Sequence, residues 1–381
     1  MTRTSHDYRS LLAQAGHFLD EATGAVTPPI HLSVTYARDG DYAPISEYFY
    51  TRYGNPSFTP VESLLARLDN GAAAMLFASG LAGMAALVEL VQSGQHIVAP
   101  EVMYFGAQAW IKRIARTRNI GLTLYNQSQP GALEAAIRHG ETAMVWVETP
   151  VNPTWEVIDI AAAAKAAHQA GAVLTVDSTV APGVSQRPLD HGADYVFHSS
   201  TKYLNGHSDI LGGVVVARET NARWYELEEV RRYSGGVMGP FEAWLLLRGM
   251  RTLAVRWDAV CANAMAVAEH FRSHPKIERV AYPGLPDDPG HAVAVQQMTG
   301  GFGGMLSLLL KGGYEAANTV ARSTAMFIPA TSLGGVESLI EHRAVVESPD
   351  SMTPGNLVRL SCGIEAAADL IADLEQALER V

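Results

Sequence analysis

Cysteine is nearly absent, with only Cys261 and Cys362 among 381 residues. Two thiols in apolar surroundings build neither a disulfide framework nor a zinc site, and both read as buried thiols. Charged residues are scarce, at 18% of the chain, and their balance is acidic, with a formal net charge of −11. With no basic block anywhere, the chain lacks the concentrated positive surface that a nucleic acid requires. Long apolar runs are missing too. None approaches the roughly 20 residues of a membrane span, and the polar start Met1-Thr2-Arg3-Thr4-Ser5-His6-Asp7 leads into no signal-peptide core. The expectation is a cytoplasmic protein with neither a nucleic-acid nor a membrane partner. Walker, dinucleotide and nucleophile-elbow motifs are absent. His198, His207 and Asp209 lie close in sequence but lack a recognised ligand spacing, so no metal is expected.

What is present is apolar substance for two or three substructures, since 48% of the residues are hydrophobic. Residues 1–55 are rich in Tyr, Pro and polar residues with little periodicity, which suggests an arm shaped by packing on something else, such as another subunit. Thr59-Pro60-Val61-Glu62 reads as a capping box that opens a helix. From about residue 73 to 218 short apolar runs alternate with helical stretches. The runs are Ala74–Phe77, His96–Ala99, Met144–Val147, Val173–Val176, Tyr195–Phe197 and Gly213–Val216. This is the pattern of an α/β fold: a mostly parallel central sheet with helices on both faces and ligands at the carboxyl ends of the strands. A long helical pattern then runs from Gly239-Pro240 to about Phe271, and Gly304–Leu310 and Leu357–Ser361 read as strands before a closing helix over Ala366–Leu378. The division expected is an arm at 1–55, a large domain at 56–245 and a smaller C-terminal α/β domain at 246–381.

Lysine occurs five times, at positions 112, 165, 202, 276 and 311. Lys202 stands apart, just past the apolar run Tyr195-Val196-Phe197 among small hydroxyl residues. Twenty-five residues upstream (202 − 177 = 25) Asp177 closes the run Ala172-Val173-Leu174-Thr175-Val176. A lysine amine and a buried carboxylate at neighbouring strand ends are what pyridoxal phosphate (PLP) needs. The amine holds the aldehyde, and the carboxylate keeps the pyridine nitrogen protonated so that the ring accepts electrons. Phe77-Ala78-Ser79-Gly80-Leu81-Ala82-Gly83 is a strand, a small-residue turn and a helix start, able to hold an anion on free amides or to serve only as a tight turn.

The segment His198-Ser199-Ser200-Thr201-Lys202-Tyr203-Leu204-Asn205-Gly206-His207-Ser208-Asp209 resembles the lysine motif of the PLP enzymes of cysteine and methionine metabolism, the trans-sulfuration family of cystathionine γ-synthase, cystathionine γ-lyase and methionine γ-lyase. The likeness runs from about Gly24 to the C-terminus. It implies PLP-dependent fold type I, the aspartate-aminotransferase-like architecture, with PLP as cofactor, and a homotetramer built from dimers that share active sites. It implies that Ser79, Gly80, Leu81, Ser199 and Thr201 grip the phosphate, joined by Tyr50 and Arg52 from a neighbouring subunit, within Tyr50-Thr51-Arg52-Tyr53-Gly54-Asn55-Pro56. Tyr104 is implied to stack on the ring and to act as an acid or base near the leaving group. Asn152, in Glu148-Thr149-Pro150-Val151-Asn152-Pro153, would meet the ring hydroxyl. Arg359 would clamp the substrate α-carboxylate, with Ser332 and Tyr50 also on the substrate side.

The activity implied is γ-elimination or γ-replacement on a γ-substituted amino acid, with Lys202, Tyr104 and Asp177 as catalytic residues. Relatives that handle cystathionine often carry charges at positions matching Phe49, Ala109 and Thr331 here. Those charges are missing, which favours a less polar γ-substituent of the methionine, homocysteine or O-acylhomoserine type. The alternatives are a cystathionine γ-synthase or γ-lyase proper, a β-lyase giving pyruvate, an aminotransferase and, least favoured, a non-enzymatic regulator of this fold. The segment 344–353 departs from the resembled pattern, which affects the expected substrate entrance rather than the cofactor site.

Overall fold

A computed structural model describes residues 7–346 and 352–381. The first six residues of the polar start, and residues 347–351 of the altered segment, lie outside the described residues. Seven strands form the larger sheet: β1 (Ala73–Phe77), β2 (His96–Pro100), β3 (Gly121–Tyr125), β4 (Thr142–Glu148), β5 (Val173–Asp177), β6 (Tyr195–His198) and β7 (Gly213–Ala217), in the order β1-β7-β6-β5-β4-β2-β3. Strands β2 to β6 are parallel, and only β7 runs antiparallel, between β1 and β6. Along each strand alternate side chains enter different cores. Val98, Val145, Val147, Leu174, Val176, Val196 and Val214 pack on one face. Ile97, Ala99, Met144, Trp146, Tyr195, Phe197 and Val215 pack on the other. A sheet buried on both faces needs apolar residues at every position, so the sequence shows continuous runs rather than alternation.

A second sheet follows, of β8 (Ile277–Ala281), β9 (Met305–Leu310), β10 (Ile328–Pro329), β11 (Leu339–His342) and β12 (Leu357–Ser361), in the order β10-β11-β12-β9-β8. It has its own core around Leu306, Leu308, Val358, Leu360 and Leu374. Among the described residues no helix is long and apolar enough to cross a membrane.

Two expectations for local structure are corrected. The helix Thr59–Leu68 has no side-chain cap: Glu62 accepts the N–H of Leu76 at 2.9 Å and pairs with Arg231 at 2.8 Å instead of reaching back to its own helix start. Tertiary partners for the carboxylate displace the local one. The continuous helical pattern from Gly239 to Phe271 is two helices, Pro240–Met250 and Leu253–Phe271. The break occurs because the Gly249 carbonyl accepts from the Arg256 guanidinium at 2.8 Å and from the Thr252 hydroxyl at 3.1 Å, so side chains occupy the acceptor at the helix end. Arg256 also donates to the carbonyl of Tyr203 at 2.9 Å, which fastens this corner to the lysine segment. Gly249 is required there: a Cβ would stand 2.3 Å from the carbonyl oxygen of Asn205.

Tyr203, next to Lys202, is buried against Trp257, and its hydroxyl accepts the N–H of Gly304 at 3.1 Å, just before β9. Replacing Tyr203 with Phe leaves that buried N–H without its acceptor, a cost of about 1–2 kcal/mol. The expected outcome is a lower denaturant midpoint with an unchanged slope in an unfolding titration.

Candidate active site

Strands β1, β2, β4, β5 and β6 end at one edge of the large sheet, and a cavity of about 350 Å³ opens there. Its walls bring together Ser79, Gly80 and Leu81 after β1, Tyr104 after β2, Glu148 and Asn152 at and beyond the end of β4, Asp177 at the end of β5, and Ser199, Thr201 and Lys202 after β6. Residues up to 123 positions apart (202 − 79 = 123) converge because every parallel strand delivers its following loop to the same side.

At one end of the cavity the helix Gly80–Glu89 begins. Ser79 caps it, its hydroxyl accepting the N–H of Ala82 at 3.1 Å. Helix geometry leaves the N–H groups of Gly80 and Leu81 without an intrahelical acceptor, and the helix dipole makes the spot attractive to an anion. A Cβ on Gly80 would come within 3.0 Å of the Ser199 side chain, and one on Gly213 within 2.3 Å of the Ser79 carbonyl. Both glycines therefore permit a close approach of chain segments around this end. The Thr201 hydroxyl accepts the N–H of Gly212 at 3.0 Å, and the N–H of Ser199 is bound by the Thr179 hydroxyl at 2.9 Å, so the loop after β6 is fixed from both sides.

Asp177 is buried, with its Oδ1 accepting the N–H of Thr179 at 3.0 Å. Burial pushes its pKa up, and the Thr179 contacts and the charge of His198 oppose that shift. Directly across the β4–β5 register stands Glu148, whose two oxygens accept the N–H groups of Tyr104 at 2.9 Å and Asn152 at 3.0 Å. Burial first, and Asp177 next, push Glu148 up to about 8. Two adjacent buried carboxylates do not both ionise freely, and burial together with the Asp177 charge favours the protonated form of Glu148, against the two N–H groups it accepts. No role was anticipated for Glu148 in the sequence, although it ends a strand with a carboxylate just as Asp177 does.

Lys202 directs its amine to the hydroxyl of Ser332 at 2.7 Å. Burial, then the nearby Arg359 charge, bring its pKa down to about 8 against the pull of Glu341. About a tenth of the amine is thus unprotonated at pH 7, against well under one in a thousand at the ordinary lysine pKa, and available as a nucleophile. Arg359, buried on β12, donates to the Ser332 carbonyl at 2.8 Å and to Asn152 Oδ1 at 3.2 Å and pairs with Glu341 at 2.6 Å. Ser332 holds both cations from a left-handed backbone, φ +94°, which is strained for a residue with a side chain. Glu341 also pairs with Arg343 at 2.9 Å and is the second residue that sequence reasoning missed.

Tyr104 lies half-exposed over Gly106, where a Cβ would meet its ring at 2.9 Å. Tyr50 and Arg52 are elsewhere: neither lines the cavity of its own chain, Arg52 stacks 5.2 Å from the Tyr50 ring, and it donates to the carbonyl of Arg232 at 3.2 Å. His198, His207 and Asp209 do not converge. His198 pairs with Asp69, His207 with the Asn205 carbonyl, and Asp209 with the Asn205 amide.

The donor set fits pyridoxal phosphate. Free helix amides and hydroxyls stand at one end, a buried carboxylate at the base of the cavity, a low-pKa amine beside it and an aromatic ring at the mouth. The chain is 42% identical over 374 residues to a cystathionine γ-synthase of Mycobacterium tuberculosis, covering 96% of this chain and 95% of that one. It is 39% identical over 376 residues to an L-methionine γ-lyase of Treponema denticola, covering 94% and 93%. Among solved structures, the cystathionine γ-synthase of Xanthomonas oryzae in complex with aminoacrylate and cysteine superposes with a TM-score of 0.94 at 37% identity, covering 99% of both chains. The family described as Cys/Met metabolism PLP-dependent enzyme matches residues 9–379, and the chain belongs to that family.

Proposed function

We propose that this PLP-dependent enzyme eliminates or replaces the γ-substituent of an amino acid. The observation that carries the reading is Ser332, which binds Lys202 through its hydroxyl and Arg359 through its carbonyl. A substrate whose α-carboxylate lies in the Arg359 fork has its Cα–H beside the lysine amine, where a base is needed. Pyridoxal phosphate supplies an aldehyde for amines and a ring that accepts electrons from a carbanion. The chain's own residues do the rest. The helix start at Gly80 and Leu81, with Ser199 and Thr201, holds the phosphate; Asp177 keeps the proton on the ring nitrogen; and Asn152 orients both Arg359 and the ring. Lys202 Nζ removes and returns protons at Cα and Cβ, and the Tyr104 hydroxyl protonates the leaving group.

The substrate favoured is of the methionine, homocysteine or O-acylhomoserine type. Met84, Val180, Leu211 and Leu333 give the cavity much of its lining as apolar surface, and Phe49, Ala109 and Thr331 bring no charge to pair with a distal polar group. Cystathionine formation is the second reading, supported by the 42% identity to the mycobacterial γ-synthase. A substrate panel scored for 2-oxobutyrate, pyruvate and thioether product, run with and without cysteine, separates them: cystathionine as the dominant product from an O-acylhomoserine and cysteine marks the second reading. The expected result is 2-oxobutyrate or a thioether other than cystathionine from these substrates at a kcat/KM above that for cystathionine; pyruvate as the main product, or a preference for cystathionine, overturns it.

The assembly we infer is a homotetramer of dimers with shared sites. Supporting it, the arm carries exposed Leu19, Val26, Leu32, Val34 and Ile45, and Tyr50 and Arg52 stay out of their own cavity. Arg52→Ala and Lys202→Ala proteins should each lack activity. Refolded together they should recover a fraction, because a mixed dimer holds one site with neither defect. No recovery in mixtures shown to exchange subunits counts against sharing.

The unprotonated Lys202 amine is the form that attacks an aldehyde. Covalent cofactor uptake by the apo-protein should therefore rise with pH through about 8, followed as growth of the visible absorption band. Uptake that is flat from pH 6 to 9, on the order of three decades of proton activity, contradicts this assignment.

A further inference from the structure

Behind the cavity lies a buried pair that the reaction described above does not use. His198, the last residue of β6, and Asp69, which follows the helix Thr59–Leu68, are each 1% exposed at the side chain, with His198 Nε2 2.9 Å from Asp69 Oδ2. The other ring nitrogen, Nδ1, stands 3.2 Å from the carbonyl oxygen of Ser178. The Ser178 carbonyl only accepts, so Nδ1 donates to it, and the contact between Nε2 and Asp69 Oδ2 needs a second proton shared between the two; the pull of Asp69 and Asp177 on the ring favours that proton at Nε2, which makes the ring an imidazolium. The pair is walled in: a Cβ on Gly183 would lie 2.6 Å from Asp69 Oδ1, an oxygen with no hydrogen-bond partner among the described residues.

The Ser178 carbonyl belongs to the residue after Asp177, and the β5–β6 register sets Asp177 opposite Phe197, one residue before His198. The Ser178 N–H bonds the Phe197 carbonyl at 3.0 Å and locks this arrangement. The titratable groups around His198 are Asp69 from the helix end and Asp177 from β5, with Glu148 of β4 beyond Asp177. The attraction is mutual: the carboxylates hold the His198 pKa up against burial, and the His198 charge opposes the rise that burial imposes on Asp177.

We propose that His198 and Asp69 are positioning residues, a buried imidazolium–carboxylate pair beside Asp177 that keeps this carboxylate anionic and so leaves the shared proton on the cofactor's ring nitrogen. The inference rests on the cofactor reading of the cavity. A positive charge on the aspartate side of the N–H···O bond favours the proton at nitrogen. A neutral ring at His198 releases it toward Asp177, and the cofactor loses part of its electron-accepting power.

Nuclear magnetic resonance of histidine-labelled apo-protein tests the pair without the cofactor. In the wild type the His198 ring should remain doubly protonated well above the ordinary midpoint of about 6.5, and in Asp69→Asn it should be neutral at pH 7. In holoenzyme loaded with ¹⁵N-labelled pyridoxal phosphate, the ring-nitrogen signal should move from the pyridinium toward the free-pyridine position in Asp69→Asn and in His198→Gln. Their kcat should fall on the order of tenfold at nearly constant KM. Cofactor uptake by the wild type tests the reading of the cavity, and the difference between wild type and variants tests the pair. A neutral His198 ring in the wild type at pH 7 overturns the proposal. So does an unmoved ring-nitrogen signal in variants whose circular dichroism shows them folded.

Discussion

The contact on which the site depends is the one between the Lys202 amine and Ser332. Lys202 follows a strand of the large sheet, whereas Ser332 lies between strands of the small one, so a hydrogen bond of 2.7 Å, with the Arg359–Asn152 contact beside it, joins the chemistry of both. The same serine grips Arg359 through its carbonyl, and its left-handed backbone brings both atoms to bear. Two cations held 2.7 and 2.8 Å from one small residue repel each other, and that repulsion adds to burial in lowering the lysine pKa. Glu341 limits the effect by pairing with Arg359. The reactivity of the amine is thus set jointly by both sheets.

Acidity at the cavity base follows from strand register. Because β4 and β5 are parallel and in step, Glu148 and Asp177 end side by side, and burial permits only one of them to stay charged with ease. The hydrogen bonds differ in kind. Glu148 is fastened to the backbone of Tyr104 and Asn152, which gives it the task of fixing loops, while Asp177 keeps an oxygen for a partner in the cavity.

Much of this was legible in the sequence, for reasons that can be named. Doubly buried parallel strands read as apolar runs, and β1, β2, β4, β5, β6 and β7 were all visible that way. Strand β3 was not, because its Gly121 and Thr123 dilute the run at the sheet edge, and β8 was not, because Glu278 and Arg279 face solvent. The polar cavity residues were named through the lysine motif, the strand-end aspartate and the resemblance they carry, whereas the apolar lining of Met84, Val180, Leu211 and Leu333 was not. Glu148, Thr179 and Glu341 escaped because their work is to hold other residues, and support of that kind appears only once distant segments meet. Glu62 misled for the opposite reason: its local pattern was right for a cap, but Leu76 and Arg231 offered better partners.

The helix Pro240–Met250 leans on the lysine segment with bare backbone, glycine 249 against the carbonyl of Asn205. Peptide units pressed together have no rotamers through which to adjust. Side chains around the mouth of the cavity can therefore be exchanged, and substrate preference can drift with them, without the nucleophile changing its address.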